Sequence, residues 1–330
     1  MSTKSPLRSL LAEDIQLYLA FKRATGRKFH TEAGGLRLFD RFLSDNAITD
    51  RAALTPPLVE SFLVSRPRTQ PRSFNHLLGV LRCFFAWMVT QERLTHSPVR
   101  ARPRPANSRR LPFLFKPEDV QRLLEMAAQL KDNPRASNRA EVYPLIFRLM
   151  YGLGLRVGEI VRLCHRDVDQ ERRLLVIRET KFGKSRLVPF GPNLGRHIEA
   201  YLTRGINSHV PWHPDDPLFS FSNDQRTPLC PETISRTFRD LLKKTGLTPT
   251  TDTNPPCLHC LRHSFAVQTL LRWYRSGIDP GQRLFHLSTF MGHSDPASTS
   301  WYLTITDALL TEANQRFERL VGTVSQEVSL

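Results

Sequence analysis

Four residues in the last quarter of the chain, His259, Arg262, His293 and Tyr302, have the types and the order of a site that acts on a charged ester. An arginine grips an anion through its planar fork. Histidine moves protons near neutral pH, and a phenol becomes a nucleophile once its neighbours offset a usual pKa of about 10. Together these groups point to phosphodiester chemistry. Alone, a histidine is more often a satisfied core residue than a catalyst, but Arg262 lies three positions after His259, which places both on one face of a helix. His263, next to Arg262, points elsewhere on that turn and reads as structural. Tyr274 is the rival nucleophile, in a run, Leu270-Leu271-Arg272-Trp273-Tyr274, that reads as packed helix. Cys257 and Cys260 form a C-x-x-C, but zinc needs a second pair or suitably spaced histidines. They read as small neighbours of His259.

Two cations upstream can complete such a site. An apolar helix over residues 141–152, with Val142, Leu145, Ile146, Leu149 and Met150, ends at Gly152-Leu153-Gly154-Leu155-Arg156, and another helix starts at Val157. The glycines permit a tight turn, and the next helix start adds partial positive charge, so Arg156 is placed to bind phosphate. Apolar runs over 174–177 and 185–190 read as two strands joined around Lys181-Phe182-Gly183-Lys184. A lysine at that tip either enters a groove or is an ordinary exposed turn residue, and Lys184 rivals Lys181.

The elements around these residues are mostly helical. Helices are expected from Lys116-Pro117-Glu118-Asp119 onward and over 194–202 and 231–244, with a short strand, Leu218-Phe219-Ser220-Phe221, between the last two. In the first 100 residues the spacing predicts four amphipathic helices. They run over 12–24; from Thr31, as N-cap, with Leu36, Phe39 and Leu43; from Thr55-Pro56; and along Phe74, Leu77, Leu81, Phe85 and Met88. That is a small helical bundle.

Charge separates the halves. The 330 residues carry 47 Lys and Arg against 31 Asp and Glu, net +16, and residues 1–110 hold 19 of the bases but only 8 of the acids. Such an excess favours a polyanion, nucleic acid or an anionic membrane surface. Lys22, Arg23, Arg27, Lys28, Arg66, Arg68 and Arg72 sit on polar faces of the bundle; singly each is a solvated residue, but with so few acids between them they read as a phosphate-contacting surface. Residues 99–110, with Arg100, Arg102, Arg104, Arg109, Arg110 and two prolines, read as a basic linker and a domain boundary. Five cysteines without framework spacing fit a reducing compartment. There is no apolar run long enough for a bilayer and no apolar secretory core at the start, so a soluble, cytoplasmic protein is expected, with no membrane partner.

The motifs are more specific as a set. Gly154-Leu155-Arg156-Val157-Gly158-Glu159, Lys181, His259-Cys260-Leu261-Arg262, Gly292-His293 and Tyr302 stand in the order found in tyrosine recombinases of the phage-integrase type, and the chain resembles that family over nearly its whole length. Residues 21–29 also look like recombinases encoded in threes on mobile elements. The resemblance implies an α+β fold, mainly α with a small antiparallel sheet. It would have a helical core-binding domain at 1–98, a basic linker at 99–112 and an integrase-type catalytic domain at 113–330.

It also implies a mechanism. Tyr302 would attack a phosphorus of double-stranded DNA to give a 3′-phosphotyrosine and a free 5′ hydroxyl. Arg156 and Arg262 would hold the non-bridging oxygens, Lys181 would protonate the leaving oxygen, His259 would act as base or relay, and His293 would hydrogen-bond the phosphate. Neither metal nor nucleotide cofactor is needed. Partners would be further protomers on DNA, identical or sister recombinases, up to a synaptic tetramer near the nucleoid. Two other readings stay open: an accessory subunit inactive without partners, and a relaxing enzyme resembling type IB topoisomerases. The chain departs from the family in lacking the usual Gly-Lys-Gly at the hairpin and in extra length over 273–283. A helical tail over 307–321 is expected, packing on a neighbouring protomer.

Overall fold

The computed structural model describes residues 6–26, 29–105, 110–178, 185–206, 213–221, 226–247, 249, 253–293, 295, 297–304, 311 and 314. They fall into two compact units, Met1–Arg109 and Arg110–Leu330.

Among its described residues the first unit has four α-helices, α1 (Ala12–Ala24), α2 (His30–Asp45), α3 (Pro56–Ser65) and α4 (Pro71–Thr90). Their apolar stripes meet in a core rich in rings: Phe39 packs edge-on to Phe62 at 4.9 Å and to Phe85 at 5.7 Å, and Tyr18 to Phe84 at 5.4 Å. Fully buried Asp14 is neutralised by Arg51 at 2.7 Å and by Arg93. A buried carboxylate without such partners is strongly unfavourable. α2 starts one residue before the expected cap Thr31. Phe29 takes a left-handed conformation there (φ 48°), and its ring rests on Tyr18 at 5.9 Å, so ring burial rather than a hydroxyl cap sets the helix start. Residues 99–105 form no helix or strand but are pinned to the bundle. Asn75 exchanges hydrogen bonds with the Arg104 backbone (2.7 and 2.8 Å), and the Arg104 guanidinium lies 4.0 Å over the Phe74 ring.

The second unit is mainly α with one small antiparallel sheet. α5 (Pro117–Ala128) and α6 (Arg139–Leu153) pack together, and α6 is buried nearly all round through Val142, Tyr143, Ile146, Phe147, Leu149 and Met150. After the short α7 (Val157–Ile160) come β1 (Val168–Asp169), β2 (Leu174–Ile177) and β3 (Arg186–Pro189), paired in that order with Leu175 opposite Val188 and Ile177 opposite Arg186. α8 (Pro192–Ile206), α9 (Pro231–Thr245), α10 (Leu258–Arg275), α11 (Pro280–Met291) and α12 (Ala297–Ser300) follow, and a 3-10 turn, Trp301–Thr304, carries Tyr302.

One expectation changes here. Leu218-Phe219-Ser220-Phe221 is not a sheet strand: its apolar side chains are buried, but among the described residues the run and the proline before it form only isolated bridges, Cys164 with Pro217 and Ser220 with Pro228. Burial without a continuous ladder is enough to make a run look like a strand. β1 was not expected, because two residues carry no periodicity. The extra length over 273–283 is the end of α10, a turn at Gly277 (φ 72°), and the start of α11, where Asp279 accepts from the Gly281 N–H at 3.0 Å. The helix expected over 307–321 lies outside the described residues except at 311 and 314.

Candidate active site

α6 must stop before Arg156, and Gly154 makes it stop. Its φ of 62° is left-handed, and a Cβ there would lie 2.4 Å from the Phe265 ring, so only glycine fits. The turn leaves Arg156 extended at the N-terminal cap of α7, where Glu159 accepts its backbone N–H at 2.9 Å. The Arg156 guanidinium then donates to Glu159 at 2.9 Å, to the Met291 carbonyl at 3.3 Å and to the Gly292 carbonyl at 3.0 Å.

α10 supplies the second arginine. Arg262 is fully buried and donates to the carbonyls of Gly154 and, at 2.7 Å, Met291. Arg156 and Arg262, more than 100 residues apart in sequence, thus meet on one carbonyl at the end of α11. That end attracts cations because its last carbonyls have no partner within the helix and carry the negative pole of its dipole. Burial first, and then the charge of Arg156, works against the protonated form of Arg262.

α10 and the last turn place the other groups. His259, on the open side of α10, stands edge-on to His263 one turn along, ring centres 4.6 Å apart. Tyr302 is 3% exposed, and its Oη lies 2.8 Å from Nδ1 of His263. His293 follows the left-handed Gly292, stacks at 6.4 Å on Tyr302 and pairs through Nδ1 with the Thr299 hydroxyl at 2.6 Å. Burial and then the surrounding positive charge hold His263 and His293 at about 4, through His259 and Arg262 on His263 and through Arg262 and Arg156 on His293; partial enclosure, then Arg262 and Arg156, lower the more open His259 as well. They are neutral at physiological pH. Burial raises the Tyr302 pKa against the pull of Arg262 and Arg156, so its hydroxyl keeps its proton beside the neutral His263.

Of the six residues named from the sequence, Arg156, His259, Arg262, His293 and Tyr302 come together. Lys181 and its rival Lys184 lie outside the described residues, between β2 and β3. Tyr274 sits about three turns beyond His263 on α10, packed against the apolar cluster that includes Leu270 and Leu287. The expectation that His263 points away from the site is not met: it touches the phenol. Its spacing of four from His259 was the available signal, since i and i+4 share a helix face. Cys257 and Cys260 have their sulfurs 3.3 Å apart, and among the described residues no group of three or more His, Cys, Asp or Glu converges as metal ligands. No helix of the described residues is long and apolar enough to cross a membrane.

In the first unit Arg23, Arg72, Arg102 and Arg104 are exposed. Lys22 is partly drawn in, its Nζ over the rings of Tyr18 (5.3 Å) and Phe21 (5.2 Å). Arg27 and Lys28 lie outside the described residues.

The fold is that of DNA strand-transferring recombinases and integrases. Residues 114–308 match the Phage integrase family, and the chain belongs to that family, the tyrosine recombinases. A Sinorhizobium fredii protein named as an integrase/recombinase, y4rB, is 35% identical over 319 residues, covering 94% of this chain and 98% of its own. Tyrosine recombinase XerA of Thermococcus onnurineus is 30% identical over 258 residues, 77% of this chain and 78% of that protein. Among solved structures, a Tn1549 transposon integrase in complex with transposon right end DNA shares the fold with a TM-score of 0.64 at 18% identity, over 93% of this chain and 99% of that one. A lambda integrase dimer bound to a core site gives 0.62 at 18% identity, over 88% and 76%.

Proposed function

We propose that the chain cuts and rejoins double-stranded DNA at specific sites through a 3′-phosphotyrosine on Tyr302, in the integration or excision of a mobile element. The observation that carries this reading is the hydrogen bond between Tyr302 Oη and His263 Nδ1, beside two arginines that share the Met291 carbonyl. A scissile phosphate arriving there exchanges carbonyl oxygens for its own non-bridging oxygens at Arg156 and Arg262, a replacement of one acceptor by a charged one. The Tyr302 oxygen attacks phosphorus as its proton passes to His263, and the P–O bond to the 5′ oxygen breaks. Lys181, at the hairpin, protonates that leaving oxygen. His293, oriented by Thr299, donates to the phosphate, and His259 relays the proton from His263 outward. Attack by the freed 5′ hydroxyl of another strand reverses every step and restores Tyr302, so no external energy source is consumed.

The helical domain at 1–98 and the linker at 99–112 hold the duplex through Lys22, Arg23, Arg27, Lys28, Arg72, Arg102 and Arg104, and the catalytic domain spans 113–330. The dimer named for the lambda integrase on its core site supports assembly of this chain as a homo- or hetero-oligomer on DNA in the cytoplasm. A nicked suicide substrate tests the core of the reading: wild type accumulates a covalent adduct, and Tyr302→Phe binds the same DNA without one. An adduct persisting in Tyr302→Phe would overturn the assignment of the nucleophile, and sequencing the DNA trapped by wild type identifies the target.

A further inference from the structure

One arginine outside this reading is tied to most of the site. Arg186 opens β3, opposite Ile177, and its side chain is 9% exposed. Nη1 and Nη2 each donate to one oxygen of Glu159, at 2.9 and 3.0 Å, and Nε donates to the Phe290 carbonyl at 2.8 Å. Glu159 is the same carboxylate that holds the Arg156 guanidinium and backbone. Phe290 directly precedes the two residues whose carbonyls receive Arg156 and Arg262, and His293 comes next. The helix end closes on the guanidinium, since a Cβ on Gly292 would lie 2.6 Å from Arg186 Nη1 and 2.8 Å from its Cζ.

Glu159 is ionised throughout the useful pH range. Burial opposes its charge, but the hydrogen bonds and charge of Arg186, followed by those of Arg156, outweigh that and hold it at about 2. One carboxylate therefore bridges two guanidiniums, one on the phosphate clamp and one on the hairpin. Only a rigid fork can serve both carboxylate oxygens and a carbonyl at once, and a lysine cannot.

We propose that Arg186 is a positioning residue for DNA cleavage, locking the hairpin strand β3 to the Arg156–Glu159 pair and to the α11 end that carries His293. The proposal rests on the recombinase reading above. It makes β3 and the clamp one body, so that β3 sets the angle at which Arg156 meets the phosphate.

The test uses the full chain with Arg186→Met and Arg186→Lys, scored for DNA binding, thermal melting and the single-turnover rate of adduct formation. One nicked substrate has an ordinary scissile phosphate. The other has a methylphosphonate, which removes a charged oxygen and so the main need for Arg156. With the phosphate, Arg186→Met slows cleavage on the order of 100-fold, the cost of a misplacement of about 1 Å, while binding stays within about threefold. Arg186→Lys recovers less than a tenth of the lost rate, and the deficit of both variants shrinks on the methylphosphonate. A folded Arg186→Met within threefold of wild type overturns the proposal, as does full recovery by lysine or an equal deficit on both substrates. If Arg186→Met melts below the assay temperature, Arg186→Lys decides by the same comparison. Wild type and Tyr302→Phe run alongside: a wild type that forms no adduct ends the recombinase reading itself, whereas a working wild type with an indifferent Arg186 ends only this proposal.

Discussion

Replacing Glu159 by glutamine keeps the shape of the side chain and removes the one negative charge beneath two guanidiniums. The Glu159 side chain is 1% exposed and that of Arg186 9%, so both are desolvated, whereas Arg156 is 34% exposed and already screened. Removing one partner of a buried pair costs about 3–5 kcal/mol, because the other charge is left uncompensated. Arg186 keeps the Phe290 carbonyl and Arg156 keeps two carbonyls, which places the expectation at the low end, about 3 kcal/mol.

For a unit of this length that is a fall in Tm of roughly 6–12 °C. The pH dependence gives the sign. Glu159 has a folded pKa of about 2 against a usual 4.5, so its stabilisation is complete above the usual value and is lost as pH falls through the folded one. Thermal melts of wild type and Glu159→Gln should therefore differ by a constant amount down to about pH 5 and converge below it. His259, His263 and His293, all with lowered pKa values, weaken both proteins alike as pH falls from 6.5 towards about 4, and so cancel in the difference. A difference under about 1 kcal/mol at pH 7, or one that fails to narrow between about pH 5 and 3, would refute the bridging role of Glu159.

Two further outcomes follow from single contacts. His263→Phe keeps the ring against His259 and Trp301 but deletes the hydrogen-bond partner of Tyr302, so adduct formation should slow by about 100-fold with DNA binding intact; an unchanged rate in a gel-resolved time course removes His263 from the chemistry. Asp14→Ala removes the buried acceptor of Arg51 and Arg93, but both guanidiniums reach water, so the first unit should lose only about 1–2 kcal/mol, read from its urea midpoint, with no measurable loss as the contrary result.

Most elements were legible from the chain because their signals are local. A 3.6-residue apolar stripe defines α1, α4, α5 and α6 whatever they pack against, and the glycine at 154 and the His259–Arg262 spacing fall within one turn of the residues they serve. The resemblance to the family rested on the same short motifs. Where reasoning from local pattern went astray, the deciding contact was distant or set by packing: Phe29 displaced Thr31 as the cap of α2 because Tyr18 lay across from it, and Leu218-Phe219-Ser220-Phe221 was apolar for burial and not for a ladder.

The sequence by itself determined the inventory of the site, two arginines, histidines and a tyrosine in order, and the helices that carry them. Only the tertiary structure decided which atoms meet. His263 reaches Tyr302 across 39 residues, and Arg262 reaches the Gly154 carbonyl across 108. Arg186 meets Glu159 only because the register of β2 and β3 turns it there. Side-chain type is written locally, but a hydrogen bond is a relation between positions, and these positions are brought together by the buried core of the second unit and the closing end of α11.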